Sequence, residues 1–305
     1  MDRLQSMRTF AKVVEQGSFA GAAKALEMSN AVVTRLVADL EEHLGTRLLN
    51  RTTRRLSLTE SGHAYLERVV QILQEIDDAE AIASAQSTRP SGLLRIYSHH
   101  GFGLQQLPRL LPAYAERHPD VTLDVTVSDR TVDLVEDRID IGIFIDIQKF
   151  DASMIARQLG VSQLLLCASP DYVRRKGAPE TLEDISRHAC LNFSYEQLRH
   201  TWPVRDSDGT VVNVPIHSKL ISNNGDLLRH CAIAGMGIVI RPSFTAEEDL
   251  AAGRLVRLLP GQNLGQVSVV MVYPSRRLLS AKVRSFVDFI TAQFPRPEID
   301  PWLAS

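Results

Sequence analysis

The densest chemistry in the chain is cationic. Arg47, Arg51, Arg54 and Arg55 place four guanidinium groups within nine positions, with no acid among them. A guanidinium fork pairs with phosphate oxygens two at a time, so the stretch suits a polyanion. Other chemistry is thinner. The sequences GFG at 101–103 and GMG at 235–237 are too short for a dinucleotide fingerprint, and no serine lies in a G-x-S-x-G context. The pairs His99-His100 and His230-Cys231 lack zinc-binding spacings, so no metal and no cofactor are expected. Cys167, Cys190 and Cys231 are odd in number and far apart, which suits reduced thiols. Nothing in this inventory points to an enzyme.

Charge is divided unevenly along the 305 residues. Through Gly62 there are nine Lys or Arg against seven Asp or Glu, leaving 25 against 29 for the remainder. The N-terminus holds no apolar run suited to a signal peptide, and no window approaches a membrane span. A soluble, cytoplasmic protein of two or three domains is expected.

The arginines need a scaffold, and the first sixty residues supply helices. Leu4, Met7, Ala11 and Val14 recur at helical spacing up to Gln16-Gly17. Ser18 can cap an alanine-rich second helix, and Ser29 or Asn30 a third, "AVVTRLVADLEEHL". In that third helix Val33, Leu36, Val37, Leu40 and Leu44 form one stripe. Ala31, Thr34, Arg35 and Ala38 fall on the other side. Small residues, a hydroxyl and a guanidinium on the exposed face suit insertion into a DNA major groove. The arginine run lies between two short apolar strands, Leu48–Leu49 and Leu56–Leu58, as a hairpin with a basic tip. Such a wing would grip phosphates or enter the minor groove.

From Thr59 the chain reads as one helix of roughly 28 residues, about 42 Å long. Tyr65, Val69, Ile72, Ile76, Ala79 and Ala83 make a short heptad seam, open to two readings: a dimerising helix or a helix packed on its own domain. "STRPSG", residues 87–92, ends it. Beyond, strands such as "LLRIYS", "IDIGIFI" and "VSVVMVY" alternate with helices such as "FGLQQLPRLLPAYAERH", which predicts α/β layers with mostly parallel sheets. Ligands of such sheets bind at the carboxyl ends of strands. There lie the loops holding Ser98, His99, His100, Gly101 and Phe102, then Ser128 and Asp129, then Asn223 and Asn224. Ser, Asn, Asp and Gly also make ordinary caps and turns, so the pattern alone leaves both readings open.

The stretches "GSFAGAAKALEMSNAVVTR" and "LEEHLGTRLLNRTTRRLSLTESG" resemble the DNA-binding domain of LysR-type transcriptional regulators. "SDRTVDLVEDRIDIGI", "AGMGIVIRP", "EEDLAAGRLVRLLP" and "VYPSRR" are similar to that family's effector domain. The resemblance implies a multidomain chain. An α-rich winged helix-turn-helix with a long linker helix would be followed by a two-lobed α/β domain of the periplasmic-binding-protein type. The reader would span 1–60, with the helix-turn-helix at about 19–38 and the wing at about 47–58. The linker helix would span 61–88 and the hinge 89–91. The effector domain would span 92–300, with lobe I at 92–161 and 266–300 and lobe II at 162–265. Ser29, Asn30, Ala31, Thr34 and Arg35 would meet DNA from the recognition helix, and Arg51, Thr53, Arg54 and Arg55 from the wing.

The resemblance further implies a homodimer or homotetramer on an interrupted palindrome of double-stranded DNA. Its effector would be a small molecule, anionic where it meets the 98–103 loop, and RNA polymerase is a further possible partner. Departures from the family's wording fall at Ala31, commonly Pro or Ser, at Val32 and Thr34, and at Gly101, where many members carry a hydroxyl. Two other classes fit parts of the chain: a solute-binding protein or enzyme on the α/β scaffold, and an architectural DNA-binding protein that senses nothing.

Overall fold

A computed structural model describes residues 2–51, 56–83, 89–146, 154–205, 210–275 and 279–303. The chain forms two compact units that divide between Arg89 and Pro90.

The first unit opens with α1 (Arg3–Glu15), α2 (Phe19–Ala25) and α3 (Asn30–Leu44). Strands β1 (Leu49–Arg51) and β2 (Leu56–Leu58) pair antiparallel, and α4 (Glu60–Ala83) follows. Ser18 caps α2, accepting from the Gly21 amide at 3.0 Å, and Ser29 caps α3, accepting from Val32 at 3.3 Å. Gly45 ends α3 with φ of 66°, a left-handed conformation that glycine enters without a Cβ clash. The core gathers Phe10, Val13, Ala22, Ala23, Val33, Val37, Leu40, Leu48 and Leu49.

Two sequence expectations shift here. The buried face of α1 is Ser6, Thr9, Phe10 and Val13, whereas Leu4, Met7, Ala11 and Val14 are only half-buried. Apolar residues lie on both faces, and the one that packs includes Thr9, whose burial is tolerated because its hydroxyl donates to the Gln5 carbonyl at 2.7 Å. Leu44 lies at the last position of its stripe and is 36% exposed.

The wing is fastened to α3 by a carboxylate. Glu41 Oε1 accepts from the amides of Leu48 at 2.8 Å and Leu49 at 3.1 Å, which fixes where β1 begins. The backbone then turns tightly into α4. A Cβ on Gly62 would stand 2.0 Å from the Leu48 carbonyl oxygen, so only glycine fits that crossing. Along the expected seam Val69 is buried, Tyr65 and Ile76 are half-buried, and Ile72 is 42% exposed. The side chains of Ala79 and Ala83, and the helix expected over 84–88, lie outside the described residues.

The second unit runs β3 (Gly92–Ser98), α5 (His100–Gln105), α6 (Leu107–Arg117), β4 (Val121–Val127), β5 (Ile141–Ile145) and β6 (Met154–Ala168). It continues with α7 (Pro170–Lys176), β7 (Ala189–Phe193), β8 (Thr201–Arg205), β9 (Val211–Pro215), β10 (His217–Ser222) and α8 (Gly225–Ile233). The last elements are β11 (Ile238–Pro242), α9 (Ser243–Ala251), β12 (Val256–Leu258), β13 (Gln266–Pro274) and α10 (Ala281–Gln293).

Nine strands join in the order β10-β7-β11-β6-β13-β5-β3-β4, with β12 also on β6. The sheet is mixed rather than mostly parallel. Pairs β3–β4, β3–β5, β7–β10 and β7–β11 are parallel, but every pairing of β6 and β13 is antiparallel. The reason is β6. From Met154 to Gln163 it pairs with β13, and from Leu164 to Ala168 with β11 and β12, so one strand serves both halves of the sheet.

The helix expected over 102–118 is two helices broken at Gln106, with Pro108 in the first turn of α6, where its missing N–H costs nothing. The break places the buried Gln106 amide between the halves: Nε2 donates to the Phe244 carbonyl at 2.7 Å, and Oε1 accepts from Trp302 Nε1 at 2.9 Å. Trp302 belongs to a C-terminal strap whose ring lies against Phe102, Phe244 and Phe294. In the same strap Asp300 accepts from the Gln163 amide at 2.7 Å and from Ser243 Oγ at 2.7 Å.

Candidate functional site

The first site is the exposed face of α3. Its stripe of Val33, Leu36, Val37 and Leu40 is buried, which leaves Asn30, Ala31 and Arg35 exposed on the opposite side. Thr34 is half-buried and its hydroxyl donates to the Asn30 carbonyl at 2.8 Å, leaving oxygen lone pairs to accept from a ligand. Ser29 is exposed but its oxygen is engaged as the helix cap. Arg35 forms no ion pair among the described residues. Arg51 contributes its backbone to β1, opposite Leu56. Its side chain, and all of Thr53, Arg54 and Arg55, lie outside the described residues.

The second site lies where the two halves of the large sheet meet, at the carboxyl ends of β3 and β11. Ser98 is fully buried and its hydroxyl donates to the neighbouring His99 carbonyl at 3.2 Å. Phe102 is also fully buried, in the aromatic cluster around Trp302. These two expected contacts are thus core residues, with no surface to offer a ligand. His99, His100 and Gly101 remain on the seam, half-buried.

The anion expected at the 98–103 loop is already present, from within the chain. Asp129 Oδ1 accepts from the His100 amide at 3.0 Å and lies 3.3 Å from His99 Nε2. Burial lowers the His99 pKa, against the opposing pull of Asp129. Ser128 Oγ accepts from the Arg130 amide at 3.2 Å, shaping the turn that presents Asp129. On the facing half, Asn224 caps α8, accepting from Leu227 at 2.9 Å, and Asn223 is exposed. A Cβ on Gly101 would stand 3.3 Å from Thr245 Cγ2, so the methyl of Thr245 occupies the approach to that position.

Three residues on the seam escaped the sequence reading, Gln105, Arg241 and Thr245, and a fourth, Asp226, lies in the expected loop 222–226 without having been singled out there. Asp226 reaches across, with Oδ1 accepting from Gln105 Nε2 at 3.3 Å and Oδ2 lying 3.5 Å from His100 Nδ1. Arg241 is 2% exposed, and Nη1 donates to the Gly225 carbonyl at 2.6 Å. Burial pulls its pKa down to about 10, so it stays cationic at neutral pH. Its signal was visible as the only charge in the apolar run "GIVIRP".

Among the described residues no group of three or more His, Cys, Asp or Glu could hold a metal ion, and no helix is long and apolar enough to cross a membrane. The buried thiols of Cys167 and Cys190 are pushed up to about 12 by desolvation.

Comparison with known proteins matches both units. Residues 4–63 match the bacterial regulatory helix-turn-helix protein, lysR family, and residues 87–295 match the LysR substrate binding domain. The chain is 35% identical over 290 residues to the HTH-type transcriptional regulator CrgA of Neisseria meningitidis serogroup C, covering 95% of this chain and 96% of that protein. It is 37% identical over 302 residues to an HTH-type transcriptional repressor of Pseudomonas aeruginosa, covering 98% and 95%. The structure of CrgA superposes with a TM-score of 0.62 at 35% identity, over 96% of this chain and 99% of that one. The full-length Vibrio cholerae virulence activator AphB gives 0.61 at 27% identity, over 95% and 99%. With α3 capped and exposed along one face in the first unit and a two-half sheet in the second, the chain belongs to the LysR-type transcriptional regulators, joining a helix-turn-helix DNA-binding domain to an effector-binding domain.

Proposed function

We propose that α3 enters the major groove by its N-terminal half, with Asn30, Ala31, Thr34 and Arg35 nearest the bases. Arg51, Arg54 and Arg55 of the wing hold the flanking phosphates, with Thr53 between them. The observation that carries this reading is the division of α3 into a buried stripe and an exposed face of small residues and one unpaired guanidinium. In this reading the DNA-binding unit is 1–60, the linker 61–88 and the hinge 89–91. The effector lobes are 92–161 with 266–300, and 162–265.

Two chains pair through the seam of α4, where Ile72 stands exposed in the single chain, and the pair spaces two reading heads on a palindrome. The effector acts from the seam between the halves of the sheet, at His99, His100, Asp129 and Asn224. It shifts the population between two arrangements of the halves, for which it needs different affinities. The chain works in the cytoplasm on the bacterial chromosome, carries no catalytic activity of its own, and meets RNA polymerase at promoters.

The test is fluorescence anisotropy on a selected DNA site and a scrambled one, over a series of salt concentrations. Arg54→Ala weakens binding to both DNAs and lowers the salt slope by about one. Arg35→Ala also narrows the ratio between the two sites, by roughly tenfold or more. An Arg35→Ala protein with unchanged affinity and unchanged ratio contradicts the docking.

A further inference from the structure

The buried guanidinium of Arg241 has too few partners for a structural residue. It sits at the carboxyl end of β11, opposite Leu165 of β6, where ligands of α/β sheets bind. Nη1 donates to the Gly225 carbonyl, while Nε is buried with no hydrogen-bond partner. No carboxylate among the described residues forms an ion pair with it. Asp226 and Asp249 act on the charge only through space, without a hydrogen bond to it. A buried cationic N–H left without an acceptor is costly, and a chain selected only for stability would place an apolar side chain there.

A second orphan lies beside it. Asp226 Oδ2 is buried without a hydrogen-bond partner, one residue after the carbonyl that Arg241 holds. The first-turn amides of α8 at Gly225 and Asp226 also donate to no acceptor among the described residues. A cationic N–H without an acceptor and a carboxylate oxygen without a hydrogen bond, the latter 3.5 Å from His100 Nδ1 of the facing half, therefore flank the first turn of a nine-residue helix.

The geometry points to a binding subsite for a compact carboxylate that also carries a hydrogen-bond donor, a hydroxyl or an ammonium group. The ligand carboxylate meets Arg241 and the α8 amides, and its donor meets Asp226. In the present arrangement Gln105 and His100 cover Asp226 from the facing half, so the ligand enters as the halves part. The inference rests on the effector reading given above and names the chemical class that the seam accepts. It also relocates charge recognition from the loop at 98–103, where Asp129 already takes the His100 amide, to the facing half.

The experiment is thermal unfolding of the full-length protein with matched probes: acetate, glycolate and glycine, and succinate, malate and aspartate. Sodium chloride at equal ionic strength is the reference. A hydroxy or amino acid should raise the Tm by at least about 2 °C beyond its plain counterpart. Arg241→Met should lose the shift for every probe. Asp226→Asn should erase the preference for the probe with the donor. Arg241→Lys guards against a misfolded Met variant: it keeps the charge but loses the fork, and its affinity should fall about tenfold.

No shift with any probe, as expected if a water alone bridges the two orphans, overturns the proposal. So does an Arg241→Met protein that shifts like the parent. DNA binding separates this inference from the reading beneath it. A probe that stabilises through Arg241 but leaves DNA affinity unchanged upholds the subsite and removes the effector role. A probe that changes DNA affinity equally in the parent and in Arg241→Met upholds the effector role and removes the subsite.

Discussion

At the scale of single residues, burial decides which side chains are free to act. Asp249 is fully buried and holds both Arg229 and Arg254, the latter through Nε at 2.6 Å. Burial alone would raise its pKa, but the two guanidinium groups more than offset that and lower it. A carboxylate depressed in the folded state lends stability above its unfolded pKa of about 4, and that stability is lost as pH falls through the folded value. Asp249→Asn should cost about 3 kcal/mol in urea unfolding at pH 7, and the gap from the parent should narrow below pH 4. An equal gap at both pH values would mean that the charge is not what stabilises.

The thiols divide in the same way. Cys167 and Cys190 are buried with strongly raised pKa values, and Cys231 is half-buried. Iodoacetamide on the native protein should therefore label Cys231 first and the other two only after denaturation, as read by mass spectrometry of tryptic peptides. Rapid labelling of Cys190 in the native protein would contradict its burial. The sequence made all three cysteines visible as isolated. It did not show which were buried, because burial of β6 and β7 depends on neighbours far along the chain.

At the scale of elements, local pattern was sufficient wherever contacts are local. The caps at Ser18 and Ser29, the buried stripe of α3 and the pairing of β1 with β2 could all be read from spacing, because each depends on residues a few positions apart. Ser29→Ala should lower the stability of the first unit by about 1 kcal/mol, measured by circular dichroism during urea unfolding. An unchanged midpoint would mean that the bond to Val32 is matched by water. The α1 face was misplaced because its apolar residues cover more than one stripe, and the buried one, with Phe10 and Val13, is completed by the polar Ser6 and Thr9. In the second unit the strands were recognisable but their directions were not. An alternation of strands and helices suggests parallel pairing, and nothing in the local pattern of residues 154–168 tells that one strand will run antiparallel through both halves.

At the scale of the whole molecule, the contacts that join the halves of the sheet are the least legible. Gln106 meets Phe244 and Trp302, residues distant in sequence, and the strap that carries Trp302 runs beyond residue 295, where the match to the LysR substrate binding domain ends. Trp302 is 6% exposed and packs against both halves through Phe102 and Phe244. Trp302→Ala should cost about 3 to 5 kcal/mol, seen as a lower urea midpoint for the second unit. A negligible change would mean that the strap lies on the fold without holding it. The candidate site divides along the same line. The exposed face of α3 belongs to one helix and its exposure was foreseen, whereas Arg241 and Asp226 gain their place only from what the fold sets beside them.

The central claim is that the exposed face of α3 and the basic wing read particular DNA sequences. It is tested most directly by passing fragmented bacterial genomic DNA over the purified full-length protein at moderate salt and sequencing what is retained. The account predicts enrichment of a few intergenic fragments that share a two-fold motif, with half-sites about one helical turn or a multiple of it apart, and loss of that enrichment in Arg35→Ala. Uniform retention of fragments by the parent protein, or enrichment that survives Arg35→Ala unchanged, would contradict it.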